Sequence, residues 1–202
     1  MENLAEVLTY FNAKIYRVKH DHCFDKVFNC DKEGRQSYNT NKLNDFLFNH
    51  STKLTKYHKC RTNIIENDDS IIAFFSLAHD ALTIDASDVD FREHLDKYTQ
   101  EEEVVFREEY CKQTSFPALK IEHLAVDKGF QSQKIGKCIL DYIIGELISN
   151  ENAYGCQYII VDALNNSDTN KFYMNYGFEY VSNKDISNAT RRMYYSLIEL
   201  FL

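Results

Sequence analysis

A mixed α/β sheet with helices on its faces is the fold class this sequence predicts, and three observations predict it. Strand-like segments meander through much of the first half of the chain. Between Leu124 and Val161 a strand, an amphipathic helix and a second strand follow one another, a β-α-β unit whose strands belong side by side and parallel. A helix closed by Gly177 and two final strands end the order. The 202 residues suit one domain spanning 1–202, with an acidic insertion at about 85–110.

Each element has its own reason. Ala13 to Lys19 alternates well enough for a strand, and Asp21 to Tyr38 is polar and turn-like. From Asn41 to His58, Leu43, Phe46, Leu47 and Leu54 share one helical face, with Asn39 or Thr40 as the cap. Arg61 to Glu66 and Ile71 to Ile84 form a hairpin around Asn67-Asp68-Asp69-Ser70, which has turn chemistry. Short helices follow, marked by Phe91, Leu95, Tyr98 and Val104 to Phe106. Phe116 to Val126 is a strand with Leu119, Ile121, His123 and Ala125 on one face and Lys120, Glu122, Leu124 and Val126 on the other. Ile135, Cys138, Ile139, Tyr142, Ile143 and Leu147 make a strong helical stripe. Cys156 to Val161, Phe178 to Val181 and Arg191 to Leu200 read as strands, and Ser167 to Tyr176 as a helix.

Composition narrows the function. Net charge is −8, and the stretch from Asp85 to Glu109 holds −7 of it, ten acids against three bases. A protein that mainly grips a phosphate backbone is expected to carry a basic patch, so DNA is not an expected partner and RNA is disfavoured by charge. Six cysteines are dispersed without a C-x-x-C pair, which argues for reduced thiols rather than a zinc site or disulfide framework. No apolar run approaches the roughly 18 residues of a membrane helix, and the start lacks the form of a signal peptide. The expected setting is the cytoplasm, with no membrane partner and no metal.

The chemistry concentrates where the strand at Val126 gives way to a helix. The first amides of a helix lack internal partners and the macrodipole is positive there, so a phosphate is the natural ligand. Lys128, Lys134 and Lys137 add charge, and Gly136 allows close backbone approach. Neither G-x-x-x-x-G-K-S/T nor G-x-G-x-x-G after an early strand is present, so this is neither a P-loop nor a Rossmann site.

Leu124-Ala125-Val126-Asp127, Gln131-Ser132-Gln133-Lys134-Ile135-Gly136, and Asn166 through Phe172-Tyr173-Met174-Asn175-Tyr176-Gly177-Phe178 resemble the GNAT superfamily of acetyl-CoA-dependent N-acyltransferases. The family loop reads Gln/Arg-x-x-Gly-x-Gly/Ala. Gln131 and Gly136 match its ends, Lys134 replaces the fourth-position glycine, and Ser132 stands where glycine is frequent. Phe28-Asn29-Cys30, the Leu43–Leu47 helix, Ile72–Leu77, Phe116–Leu119 and Val161-Asp162-Ala163 are similar to one subgroup, the GNAT toxins that acetylate aminoacyl-tRNA. The likeness runs from about Val27 to Leu200, interrupted by the acidic segment.

The resemblance implies a largely antiparallel twisted sheet with a splayed parallel pair in the middle and helices on both faces. It implies acetyl-CoA as co-substrate, with pantetheine beside Leu124, Ala125 and Val126. Gln131, Ser132, Gln133, Lys134, Ile135, Gly136 and Lys137 would cradle the pyrophosphate, and Asn166 would contact the pantetheine arm. Tyr173 would be the general acid at the leaving sulfur, a small uphill transfer from a phenol of pKa about 10 to a thiolate whose conjugate acid is near 8.5. Glu122, His123 and His79 are the candidate bases, and Glu122 is favoured because it shares a face with Leu124.

Three functions stay open. The first is acetyl transfer to a primary amine of a small molecule or peptide, by direct attack in a ternary complex. The second is acetylation of aminoacyl-tRNA, for which Lys53, Lys56, His58 and Lys59 offer a small patch. The third is a catalytically weak acyl-CoA-binding protein, suggested by Lys134 in the loop. A homodimer is compatible with all three, and the acceptor, the base and any antitoxin partner are not readable.

Overall fold

The hairpin sets the sheet. The computed structural model of the chain describes residues 2–31, 38–85, 89–149 and 155–200. β2 (Arg61–Glu66) and β3 (Ile71–Thr83) pair antiparallel, with Arg61 opposite Leu77 and a shift at Ile65/Glu66. The Asn67 carboxamide oxygen closes the turn by accepting the amides of Asp69 and Ser70, at 3.0 and 2.9 Å. β1 (Lys14–Arg17) runs antiparallel to β2. β4 (Ser115–Val126), β5 (Tyr158–Leu164), β6 (Glu179–Tyr180) and β7 (Thr190–Ser196) complete a seven-stranded sheet of order β1-β2-β3-β4-β5-β7-β6. β4 and β5 form its parallel pair.

Two compact units divide the chain, Met1–Ala78 with Ile121–Ala153, and His79–Lys120 with Tyr154–Leu202, and β3 and β4 each run through both. In the first, α1 (Leu4–Tyr10) is capped by Asn3, which accepts the Glu6 amide at 3.0 Å, and buries Leu4 and Val7. α2 (Tyr38–Asp45) starts ahead of Asn39 and Thr40, so neither caps it. A π-helical turn (Phe46–His50) separates it from α3 (Ser51–Lys56), where the periodicity predicts one unbroken helix. Phe46 and Leu47 nevertheless face the core with Phe28, Ile64 and Phe74. α6 (Ile135–Ser149) buries the predicted stripe, Tyr142 excepted, which is half-buried.

In the second unit, the acidic segment carries α4 (Val89–Tyr98) and α5 (Val104–Cys111). Phe91 and Leu95 are buried in a core with Phe116, Tyr158 and Tyr194, the Phe91 ring lying 5.4 to 5.8 Å from those three rings. The acids of α4 thus ride on a helix whose inner side is apolar. Arg107 ties α5 to α4 through Asp96 at 2.6 Å. β7 stops at Ser196, short of the predicted Leu200, because the chain turns into a single 3₁₀ turn (Ile198–Leu200). β5 likewise begins at Tyr158 rather than Cys156.

α7 (Ser167–Tyr176) has the predicted bounds. Asn166 caps it, accepting the Thr169 amide at 2.9 Å. Gly177 ends it at φ 108°, where its amide donates to Met174 and that of Phe178 to Tyr173. A Cβ at Gly177 would lie 3.3 Å from Tyr195 Cε2. Gly177→Ala is expected to destabilise by about 1–2 kcal/mol, a Tm loss of roughly 2–8 °C in a thermal melt.

Candidate active site

The loop after β4 is built by long-range pins in the first unit. Asp127 accepts the Asn29 amide on one oxygen at 2.7 Å and the Gly129 amide on the other at 2.8 Å. The Lys128 amide donates back to the Asn29 carbonyl at 2.8 Å. The Gln131 side chain donates to the carbonyls of Cys30 and Val126, both at 2.9 Å. Asn44 braces the far side, accepting the Cys30 amide at 3.1 Å and donating to the Asn29 side chain at 3.0 Å. The Phe11 ring, just past α1, meets Phe130 edge-on at 5.2 Å.

That scaffold holds two unusual backbones. Ser132 and Lys134 adopt φ of 66° and 64°, the left-handed region that glycine occupies at low cost. Lys134 has replaced the motif glycine without changing its conformation to an ordinary one. Among the described residues, no group accepts the amides of Gln131 through Lys137, and the first helical bond is from Cys138 to the Lys134 carbonyl at 3.1 Å. Lys128, Lys134 and Lys137 are exposed around this run of donors. The arrangement suits an oxyanion-rich ligand. The Gln131 side chain is engaged within the loop, so its main-chain amide is the group left for a ligand.

On β4 itself, Ala125 is buried and Leu124 and Val126 are half-buried. Glu122 is half-buried, and its charge is one of the influences that raise the Cys60 thiol, after burial. His123 stacks on Phe46 with ring centroids 3.6 Å apart, a packing role. His79, in the second unit, is exposed.

The second unit holds Tyr173 and Asn166. Tyr173 is 5 % exposed, its ring against Phe172 and Phe178 at 4.9 and 5.2 Å. Burial alone raises its pKa, so the phenol stays protonated well into alkaline pH. No hydrogen bond to its hydroxyl is found among the described residues. Asn166 is exposed, with its side-chain oxygen engaged in the α7 cap.

A charge lattice that sequence reasoning missed lies in this unit. Lys120 on β4 meets Asp162 on β5 at 2.9 Å and Asp80 on β3 at 4.0 Å. Arg192 on β7 holds Asp162 with two bonds, at 2.8 and 3.1 Å. Burial pushes the Asp162 carboxyl up, but hydrogen bonds and charge from Arg192 and Lys120 outweigh it and hold it below its ordinary value. Four strands must be ordered before these residues can be seen to meet, so spacing carried no signal.

The thiols are quiet. Cys30 is buried beside the loop, and burial first, then Asp31 and Asp127, push its pKa up to about 12. Burial also raises Cys60, Cys138, Cys156 and Tyr158. All stay neutral in the folded chain while their unfolded counterparts ionise. Stability from this source is full below about pH 9 and falls as pH rises, for Cys30 until about 12. Chemical denaturation across pH 7 to 11 is expected to show that decline. No cluster of three or more metal-ligating side chains is found among the described residues.

A profile for the acetyltransferase (GNAT) domain matches residues 59–180. No curated protein sequence matches the chain. Among solved structures, AtaT complexed with acetyl-methionyl-tRNAfMet is similar at 16 % identity and TM-score 0.66, covering 93 % of this chain and 96 % of that one. A tyrosine-to-phenylalanine mutant of KacT is similar at 18 % identity and TM-score 0.67, over 94 % and 99 %. AtaTR bound with acetyl-CoA is similar at 18 % identity and TM-score 0.66, over 93 % and 96 %.

Proposed function

The chain belongs to the GNAT acetyltransferase family, and from that premise we propose that it moves the acetyl group of acetyl-CoA onto a primary amine by direct attack in a ternary complex. The observation that carries this reading is the run of seven amides from Gln131 to Lys137 for which no acceptor is found among the described residues, in a loop with two left-handed residues. Acetyl-CoA supplies an activated thioester. In this reading the loop amides and the positive end of α6 take its diphosphate, with Lys128, Lys134 and Lys137 adding charge. The strand residues Leu124, Ala125 and Val126 flank the pantetheine, and Asn166 offers its side-chain amide to the same arm.

The reaction then needs two proton movements. As the C–N bond forms and the C–S bond breaks, Tyr173 gives its phenolic proton to the departing sulfur. The amine's surplus proton leaves to Glu122 or to water. Desolvation raises the Tyr173 pKa, which makes full transfer harder, but it raises that of a buried thiol in the same direction. The protonated phenol is thus the form present throughout neutral pH. AtaTR, whose structure is similar, has been crystallised bound with acetyl-CoA.

A second reading, acetylation of the α-amino group of aminoacyl-tRNA, is favoured by one surface. Lys53, Lys56, Tyr57, His58, Lys59 and Arg61 are all exposed on α3 and the start of β2. Tyr57 is 75 % exposed with the Lys56 ammonium 6.0 Å from its ring centroid, a combination suited to stacking and phosphate contact. An α-amino group, of pKa about 7.7–8.0, also asks little of a base. The likeness to AtaT complexed with acetyl-methionyl-tRNAfMet supports this reading.

One experiment tests all of this. Labelled acetyl-CoA is incubated with the chain and a panel of amines that includes aminoacyl-tRNA, beside Tyr173→Phe. Label on the tRNA, lost in Lys53→Glu/Lys56→Glu, selects the second reading. Label on small amines alone selects the first. Absence of turnover together with calorimetric binding of acetyl-CoA selects the weakly catalytic alternative, and absence of both overturns the proposal.

A further inference from the structure

We propose that the outer face of α5 is a docking surface for a basic amphipathic segment of a partner protein. This goes beyond acetyl transfer and does not depend on it. α5 buries none of its residues. Val104 and Val105 are each 68 % exposed, and Phe106, whose ring stacks on Tyr110 at 5.7 Å, is 51 % exposed. The opposite side of the helix is what anchors it: Arg107 bonds to Asp96, and the Tyr110 hydroxyl accepts from Gln157 at 2.7 Å. The exposed side is therefore held in place as a formed helix rather than left as a fraying end.

Its surroundings name the partner's chemistry. Glu101, Glu102 and Glu103 precede the apolar residues and Glu108 and Glu109 follow them one turn on, all five exposed. Val104 and Glu108, and Val105 and Glu109, are i,i+4 neighbours on one face. Around the helix Glu108 falls between Val104 and Val105 and Glu109 between Val105 and Phe106, so apolar and acidic groups alternate across this face, complementary to a helix on which Leu-like side chains lie beside Lys or Arg. An anionic membrane is repelled by those charges, and so is a second copy of the same face, which would set five carboxylates against five.

The test uses the full chain and a fluorescent amphipathic peptide of about 18 Lys and Leu residues, with its Glu/Leu counterpart as the control. Fluorescence anisotropy is expected to show binding of the Lys/Leu peptide only, persisting in weakened form from about 50 to 300 mM salt. Val104→Ser/Val105→Ser/Phe106→Ser and, separately, Glu108→Lys/Glu109→Lys are each expected to weaken it about ten-fold or more. Asp68→Lys/Asp69→Lys changes net charge equally at the exposed β2–β3 turn and is expected to leave binding within about two-fold. No binding, binding indifferent to the apolar triple, or an equal loss in the Asp68/Asp69 variant would overturn the proposal. So would binding to phosphatidylglycerol vesicles, or self-association in sedimentation that the triple abolishes.

Discussion

Tyr173→Phe is expected to lower kcat by about 10²–10⁴-fold while leaving the fold at least as stable as before. The two halves of that statement come from the same geometry. The residue is 5 % exposed and no hydrogen bond to its hydroxyl is found among the described residues, so removal of the hydroxyl breaks none. A residue kept for packing alone would give the same melt and no loss of rate, so kcat is the readout that separates the roles. The pH profile separates the roles further. Because burial holds the phenol protonated, the wild-type rate is expected to show no fall between about pH 8 and 10 from loss of this proton. Steady-state kinetics beside a thermal melt checks both halves, and an unchanged kcat removes Tyr173 from the mechanism.

The second large effect is expected at the loop. Asp127→Ala removes two carboxylate-to-amide bonds, those to Asn29 and Gly129, and Gln131→Ala strips the Cys30 and Val126 carbonyls of a donor. Bonds to charged groups contribute about 1.5–3 kcal/mol each and neutral ones about 0.5–1.5. Either variant lets Ser132 and Lys134 leave their left-handed conformations, which a non-glycine residue holds at a cost of about 1–2 kcal/mol. The amides then lose their common orientation. KM for acetyl-CoA is expected to rise about 10–100-fold, with kcat at saturation changed by less than about three-fold. Lys134→Gly tests the strain directly. It should raise Tm, because relief of about 1–2 kcal/mol exceeds the 0.5–1 kcal/mol of chain entropy that glycine adds.

Those pins also mark where sequence reading runs out. The β2–β3 hairpin was legible because Asn67 supplies turn chemistry between two β-forming runs, and α7 because Gly177 sits where a left-handed residue must end it. Both signals are local. Overrun at β7 has a local cause too: Leu197 is buried and apolar, as in a strand, yet the chain has already turned. The π-helical turn at Phe46–His50 leaves the apolar spacing close to helical and so hides in it. Among the candidate residues, Tyr173 drew notice through its motif, and the start of α6 through its lysines and glycine. The left-handed Lys134 was visible only as a departure from a family pattern. Asn29, Asn44, Asp127 and the side chain of Gln131 act across as many as 101 positions, a separation no window of residues reveals. The same holds for Asp80, Lys120, Asp162 and Arg192, which meet only once four strands are in order.

The packing of Phe91 and Leu95 against Phe116, Tyr158 and Tyr194 has a consequence for truncation. A surface loop can lengthen or shorten freely between relatives, but this one has become a wall of the core it joins. Excision of residues 86–112 would strip three aromatic rings of their cover and yield insoluble protein rather than a trimmed enzyme. Helix α4 and the sheet beneath it therefore stand or fall as one core.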